Sequence, residues 1–89
     1  MIRFKFTNYF RRVFEERIGL HLNEDLSSII LANLQTVIPH KKIDNKGRNS
    51  EYYTFIVEEK LITCVVDGNT HKVITCVLED HHPLEFYRR

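Results

Sequence analysis

The stretch Glu51–Asp80 constrains the fold more tightly than any other part of the chain. It contains three runs, residues 52–57, 61–66 and 73–78, made mostly of β-branched, aromatic and cysteine side chains. Such residues fit a pleated, half-buried surface. Glu58-Glu59-Lys60 separates the first two runs, and Asp67-Gly68-Asn69-Thr70 separates the last two. Neither break is long enough for a crossover, so the three runs are expected as antiparallel neighbours. Gly68 and Asn69 tolerate the positive φ of a tight hairpin. A turn centred on them sets Cys64 opposite Val73 or Ile74 rather than Cys76. The two cysteines then read as buried thiols acting as small hydrophobes, with no disulfide. Strict alternation places Val73, Thr75 and Val77 on one face and Ile74, Cys76 and Leu78 on the other. Both faces are apolar. Helices are expected over one, and the other is either part-covered or a concave working surface.

The residues before this stretch supply the helices. Ile2, Phe4 and Phe6 alternate with Arg3 and Lys5, as in a short edge strand with a basic outer side. Thr7 or Asn8 can cap a helix that runs to Ile18 and stops at Gly19. Phe10, Val13, Phe14 and Arg17 lie on one side of it. Arg11 with Glu15 and Arg12 with Glu16 are spaced for i,i+4 ion pairs that neutralise the helix surface. Asn23 caps a second helix, with Glu24 and Asp25 favourably placed in its first turn. Leu26, Ile29, Ile30, Leu34 and Val37 form its apolar stripe, and Pro39 ends it. His40–Ser50 is polar and turn-rich and reads as an exposed loop. Beyond the last strand, Pro83 starts a tail whose Leu84 and Phe86 are expected to pack back on the body. The expectation is one domain over residues 1–89 in the α+β class: two N-terminal helices packed on a three- to four-stranded antiparallel sheet.

Several functional classes lack their residues. No apolar run approaches the roughly 20 residues of a membrane span. MIRFKF lacks the continuous apolar core of a secretory signal, so a cytoplasmic protein is expected. The chain has no Walker loop, GxGxxG, HExxH or nucleophile elbow, and no cofactor is implied. The cysteines are not spaced as C-x-x-C. His81 and His82 point to opposite faces and would need further ligands such as Glu79 or Asp80, so no metal site is assigned. Net charge is only +1, yet residues 1–48 carry nine Lys/Arg against five Asp/Glu, or +4, and residues 49–89 carry four against seven, or −3. The basic half either faces a polyanion or is an ordinary solvated surface.

The candidate site residues follow from that charge. Lys41, Lys42, Lys46 and Arg48 on a loop suit phosphate contact, Arg12 adds to them, and Tyr52 beside them can stack on a base. The competing reading is a solvated loop ending in two core-edge tyrosines. Arg17, among Phe10, Val13 and Phe14, either snorkels at the rim or is aimed into a site. Thr75 is either a β-former using its methyl group or a hydroxyl at the sheet centre. His81 and His82 are available for acid or base duty. Metal-free RNA cleavage requires only these types: a base, an acid and a cation for the charge that develops on phosphorus.

Glu16-Arg17-Ile18-Gly19, ending the first helix, and Lys72-Val73-Ile74-Thr75-Cys76-Val77, closing the sheet, carry a resemblance to barnase/RelE-type small ribonuclease toxins over roughly Phe4–Leu78. It is similar to a group of small bacterial proteins with a helix ending E-R-x-G and a closing strand like KVITV. The resemblance implies an RNA-cleaving site with Arg17 on the scissile phosphate, Thr75 orienting it, and His81 or His82 as acid or base. Toxin–antitoxin and phage-borne systems are the contexts it implies. Tyr9 stands where that group carries a histidine, and Val13 where it carries an arginine. His21, His40 or the His81–His82 pair would have to replace the histidine, or RNA is bound without being cut. Two functions are therefore expected: an RNA-directed protein, as a metal-independent endoribonuclease or a binder, or a non-catalytic protein-interaction module acting on a partner or as a homodimer.

Overall fold

The computed structural model describes residues 1–79. The elements are β1 (Lys5–Phe6), α1 (Asn8–Ile18), α2 (Glu24–Thr36), β2 (His40–Ile43), β3 (Asn49–Val57), β4 (Lys60–Asp67) and β5 (Lys72–Leu78). The α+β class holds. The sheet, however, has five strands in the order β1-β5-β4-β3-β2, and it is mixed. β1 runs parallel to β5, pairing Lys5 with Lys72 and Phe6 with Val73. No tight turn joins these two strands, so hairpin geometry does not impose the antiparallel direction. Among the described residues, no helix is long and apolar enough to cross a membrane.

Both helices begin at their capping residues, and α1 also ends at its own. Thr7 Oγ1 accepts from the Phe10 N–H at 3.0 Å, and Gly19 closes α1 at φ 79°. Phe10, Val13, Phe14 and Ile18 are buried. Asn23 Oδ1 accepts from the Leu26 N–H at 2.8 Å. The apolar stripe of α2 is narrower than its sequence implies: Leu26, Ile30 and Leu34 are buried, but Ile29 is 44% exposed. Val37 has already left the helix, in extended conformation. α1 lies over β5 and α2 over β3. They cover Tyr53, Phe55 and Val57 of β3, Ile62, Cys64 and Val66 of β4, and Val73 and Cys76 of β5, all buried.

Two expectations about the connections are overturned. Between β4 and β5 the turn is wider than Gly68-Asn69 alone requires. Asp67 Oδ1 accepts from the N–H groups of Asn69 (2.8 Å) and Thr70 (3.1 Å), and the Asp67 carbonyl accepts from the His71 N–H at 2.8 Å. His71 takes the left-handed conformation, φ 61°. Ile74 is then the extra residue of a β-bulge, because Val66 pairs with Val73 but Val65 pairs with Thr75. A bulge inverts the alternation of the strand beyond it. Cys64 therefore lies opposite Cys76, both as free buried thiols, and not opposite Val73 or Ile74. Val73 faces the helices, while Thr75 and Val77 face away from them.

His40–Ser50 is likewise a hairpin rather than a loop. The Asp44 N–H donates to the Arg48 carbonyl and the Gly47 N–H to the Asp44 carbonyl, both at 3.0 Å, with Gly47 at φ 79°. This is a three-residue turn with glycine at the bulge position. The Asp44 carboxylate locks it by accepting from the Lys46 N–H (2.9 Å), the Arg48 N–H (2.8 Å) and Arg48 Nε (2.7 Å).

Candidate functional site

The sheet face turned away from the helices carries the chemistry. Register pairs point to the same side of a sheet. His40 pairs with Tyr52, Tyr52 with Val65, and Val65 with Thr75. These four side chains form one row across β2, β3, β4 and β5. Three strand spacings make the row about 14 Å long.

Arg17 meets the Thr75 end of this row. Its Nη1 donates to Thr75 Oγ1 and to the Cys76 carbonyl, both at 3.0 Å, and its Nη2 reaches Tyr9 Oη at 3.4 Å. The reason is the short length of β1. It covers only the start of β5, so later β5 carbonyls need other partners. Thr7 supplies some, through its N–H to Val73 O and its Oγ1 to Val73 O and Ile74 O. Arg17 supplies the next. A guanidinium has five N–H donors. Nη1 spends both on β5 and Nη2 one on Tyr9. Nε–H and one Nη2–H have no partner among the described residues. Guanidinium N–H donors left free in this way can bond to phosphate oxygens.

The expected neutralisation of α1 does not occur. Glu15 Oε1 contacts His21 Nδ1 at 2.5 Å instead of Arg11. Arg11 lies over the Phe6 ring and Arg12 over the Tyr9 ring, each 5.6 Å from the centroid. Among the described residues, neither Arg12 nor Arg17 forms an ion pair. Tyr9, Arg12, Arg17 and Thr75 thus share one cationic, exposed corner.

The other predicted basic residues sit at the far edge of the sheet. Lys42 is on the open face, paired in register with Ser50. Lys41 is on the helix side, 3.8 Å from Glu51. Lys46 is in the β2–β3 turn, and Arg48 is held by Asp44. The turn is connected to β5 by a cleft of about 200 Å³ lined by Asp44, Arg48, Ser50, Val65 and Ile74. Arg17 and Thr75 are therefore in direct contact, while Lys42 and Tyr52 join them only by sharing a face. His81 and His82 lie outside the described residues. His40 stands at the opposite end of the row from Arg17, too far to act on the same phosphate.

Sequence reasoning missed two features of this face. The sequence marks Tyr9 only as standing in place of a histidine; its 3.4 Å contact with Arg17 Nη2, two turns along α1, is the part it does not show. Thr54 Oγ1 and Thr63 Oγ1 are 2.8 Å apart, and Thr63 Oγ1 donates to Glu79 Oε1 at 2.6 Å. The beginning of that ladder was visible only as threonines in two strands. Behind the face, burial pushes the Cys76 thiol up to about 11, against the opposing pull of Arg17, and raises that of Cys64 further. Such thiols are poor nucleophiles. Among the described residues, no three His, Cys, Asp or Glu side chains group as metal ligands. The arrangement can bind an oxyanion at Arg17 and stack an aromatic ring at Tyr52. Comparison with protein-family models, with characterised proteins and with solved structures finds no match to this chain.

Proposed function

We propose that this is an RNA-directed protein that receives a single strand across the open face of its sheet. The carrying observation is that Nε–H and one Nη2–H of Arg17 have no partner among the described residues, while Nη1 is fixed by Thr75 and Cys76 at the end of a row that contains Tyr52. In this reading Arg17 holds one phosphate, Arg12 and Lys42 attract neighbouring ones, and Tyr52 stacks on a base. Lys41, Lys46 and Arg48 add long-range attraction rather than direct contact.

Cleavage is the extension of the same reading. The 2′-hydroxyl loses its proton to a base and attacks the adjacent phosphorus. The P–O5′ bond breaks, the leaving oxygen takes a proton from an acid, and a 2′,3′-cyclic phosphate remains. Arg17 neutralises the charge on the non-bridging oxygens, Thr75 orients its guanidinium, and His81 or His82 serves as acid or base. The test is incubation of the protein with total RNA beside Arg17→Ala, together with fluorescence anisotropy on a labelled single strand over a salt series. Binding that falls steeply with salt, and more weakly in Arg17→Ala, supports the reading. Salt-insensitive binding or none overturns it. Binding without cleavage removes the catalytic extension alone.

A further inference from the structure

The two edges of the sheet are finished differently. At the β1 side, Thr7 and Arg17 occupy the free carbonyls of β5. At the other side, β2 has no neighbour beyond it among the described residues. Its outward groups can be identified. Asp44 N–H bonds inward to Arg48, and bonding alternates along an antiparallel ladder. Lys42 and His40 therefore also bond inward, to Ser50 and Tyr52. The N–H and C=O groups of Lys41 and Ile43 face outward, as a ready template for another strand. Apolar side chains flank that template, with Ile43 73% and Ile38 91% exposed.

The charges on β2 select the occupant. Every antiparallel register that pairs three or more residues of β2 with a second β2 sets a lysine directly opposite a lysine. Like charges in that position oppose pairing, and opposite charges favour it. The edge therefore rejects its own copy and complements an acidic strand. We propose that β2 is a docking edge for an extended acidic segment of a partner protein, which adds to the sheet as a sixth strand through the outward groups of Lys41 and Ile43. This edge shares Lys42 with the open face assigned to RNA, but its backbone template and the Arg17 site are separate, so either proposal can fail without the other.

The test uses the full chain and three fluorescent octapeptides: alternating valine and glutamate, alternating valine and lysine, and the glutamate peptide N-methylated at alternate amides. The glutamate peptide is expected to bind. The lysine peptide is expected to bind about tenfold more weakly or less, because the cross-strand pairs change sign. N-methylation is expected to abolish binding without altering charge. Ile43→Pro removes an outward N–H that the sheet does not use, so it should keep its circular dichroism spectrum and lose the peptide. Amide resonances of Lys41 and Ile43 should shift on binding and gain exchange protection. Equal binding of the methylated peptide, shifts confined to other strands, or no binding of the glutamate peptide overturns the proposal. So does light scattering that shows a dimer disrupted by Ile43→Pro, or peptide binding that appears only after residues 80–89 are removed, since a second copy or the chain's own tail would then be the occupant.

Discussion

Replacing Arg17 separates its two roles. Its Nη1 bonds to Thr75 Oγ1 and to the Cys76 carbonyl are both 3.0 Å, whereas the 3.4 Å contact to Tyr9 is too long to contribute much. A hydrogen bond to a charged group contributes about 1.5–3 kcal/mol when shielded from solvent. Arg17 is exposed, and both acceptors can return to water, so the pair together is worth about 1–2 kcal/mol. Arg17→Ala should therefore lower the thermal midpoint by about 5–15 °C, followed by circular dichroism. If the Arg17 guanidinium holds one phosphate, the same variant should reduce the slope of log K against log salt by about 0.7 on single-stranded RNA. Arg17→Lys keeps a charge but cannot span both acceptors. It should lose much of the stability and keep most of the slope. Thr75→Val removes one acceptor and should lower the midpoint without changing the slope. An Arg17→Ala protein with an unchanged midpoint refutes the edge-sealing role, and an unchanged slope refutes the phosphate role.

Three further outcomes are expected. Glu58 and Glu59 both have positive φ, 51° and 66°, in the two-residue β3–β4 turn, so replacing them with Asn-Gly should stabilise the protein by about 1 kcal/mol in a denaturant titration. A Gln-Gln control, which removes charge but not strain, should move the midpoint far less; equal shifts would show that repulsion is the cause. Burial, with a hydrogen bond to the Glu51 carboxylate, pushes the Tyr53 phenol up to about 12 from 10.0. Its folded value lies above its unfolded one, so its contribution is complete below pH 10 and is lost as pH rises through 12. Tyr53→Phe should flatten the alkaline fall in thermal midpoint over that window, and an unchanged profile would contradict this. Finally, Cys64 and Cys76 should react with an aromatic disulfide reagent only at the rate of unfolding, since both are fully buried with raised thiol values. Prompt labelling of the native protein would show that the α1 cover opens locally.

Local chemistry determined much of this molecule. Thr7, Gly19 and Asn23 mark helix boundaries because their side chains or backbone freedom act on residues within one turn. The runs at 52–57, 61–66 and 73–78 are strands because their side chains suit no other surface. What passed unseen depended on groups acting against the local pattern. Asp44 converts a string that reads as loop into a hairpin. Asp67 widens a turn that Gly68-Asn69 would have kept tight, and the Ile74 bulge then exchanges the faces of everything beyond it. Arg17 and Thr75, 58 residues apart, were each legible as candidates, but their contact was not. It exists because β1 is too short to cover β5, and an unpaired carbonyl must find a donor. The amino-acid order thus settled the two helices and the strands β3, β4 and β5, through interactions a few residues long. Register, strand order and the assembly of the cationic corner were decided by tertiary structure, because they follow from satisfying backbone groups across the whole sheet at once.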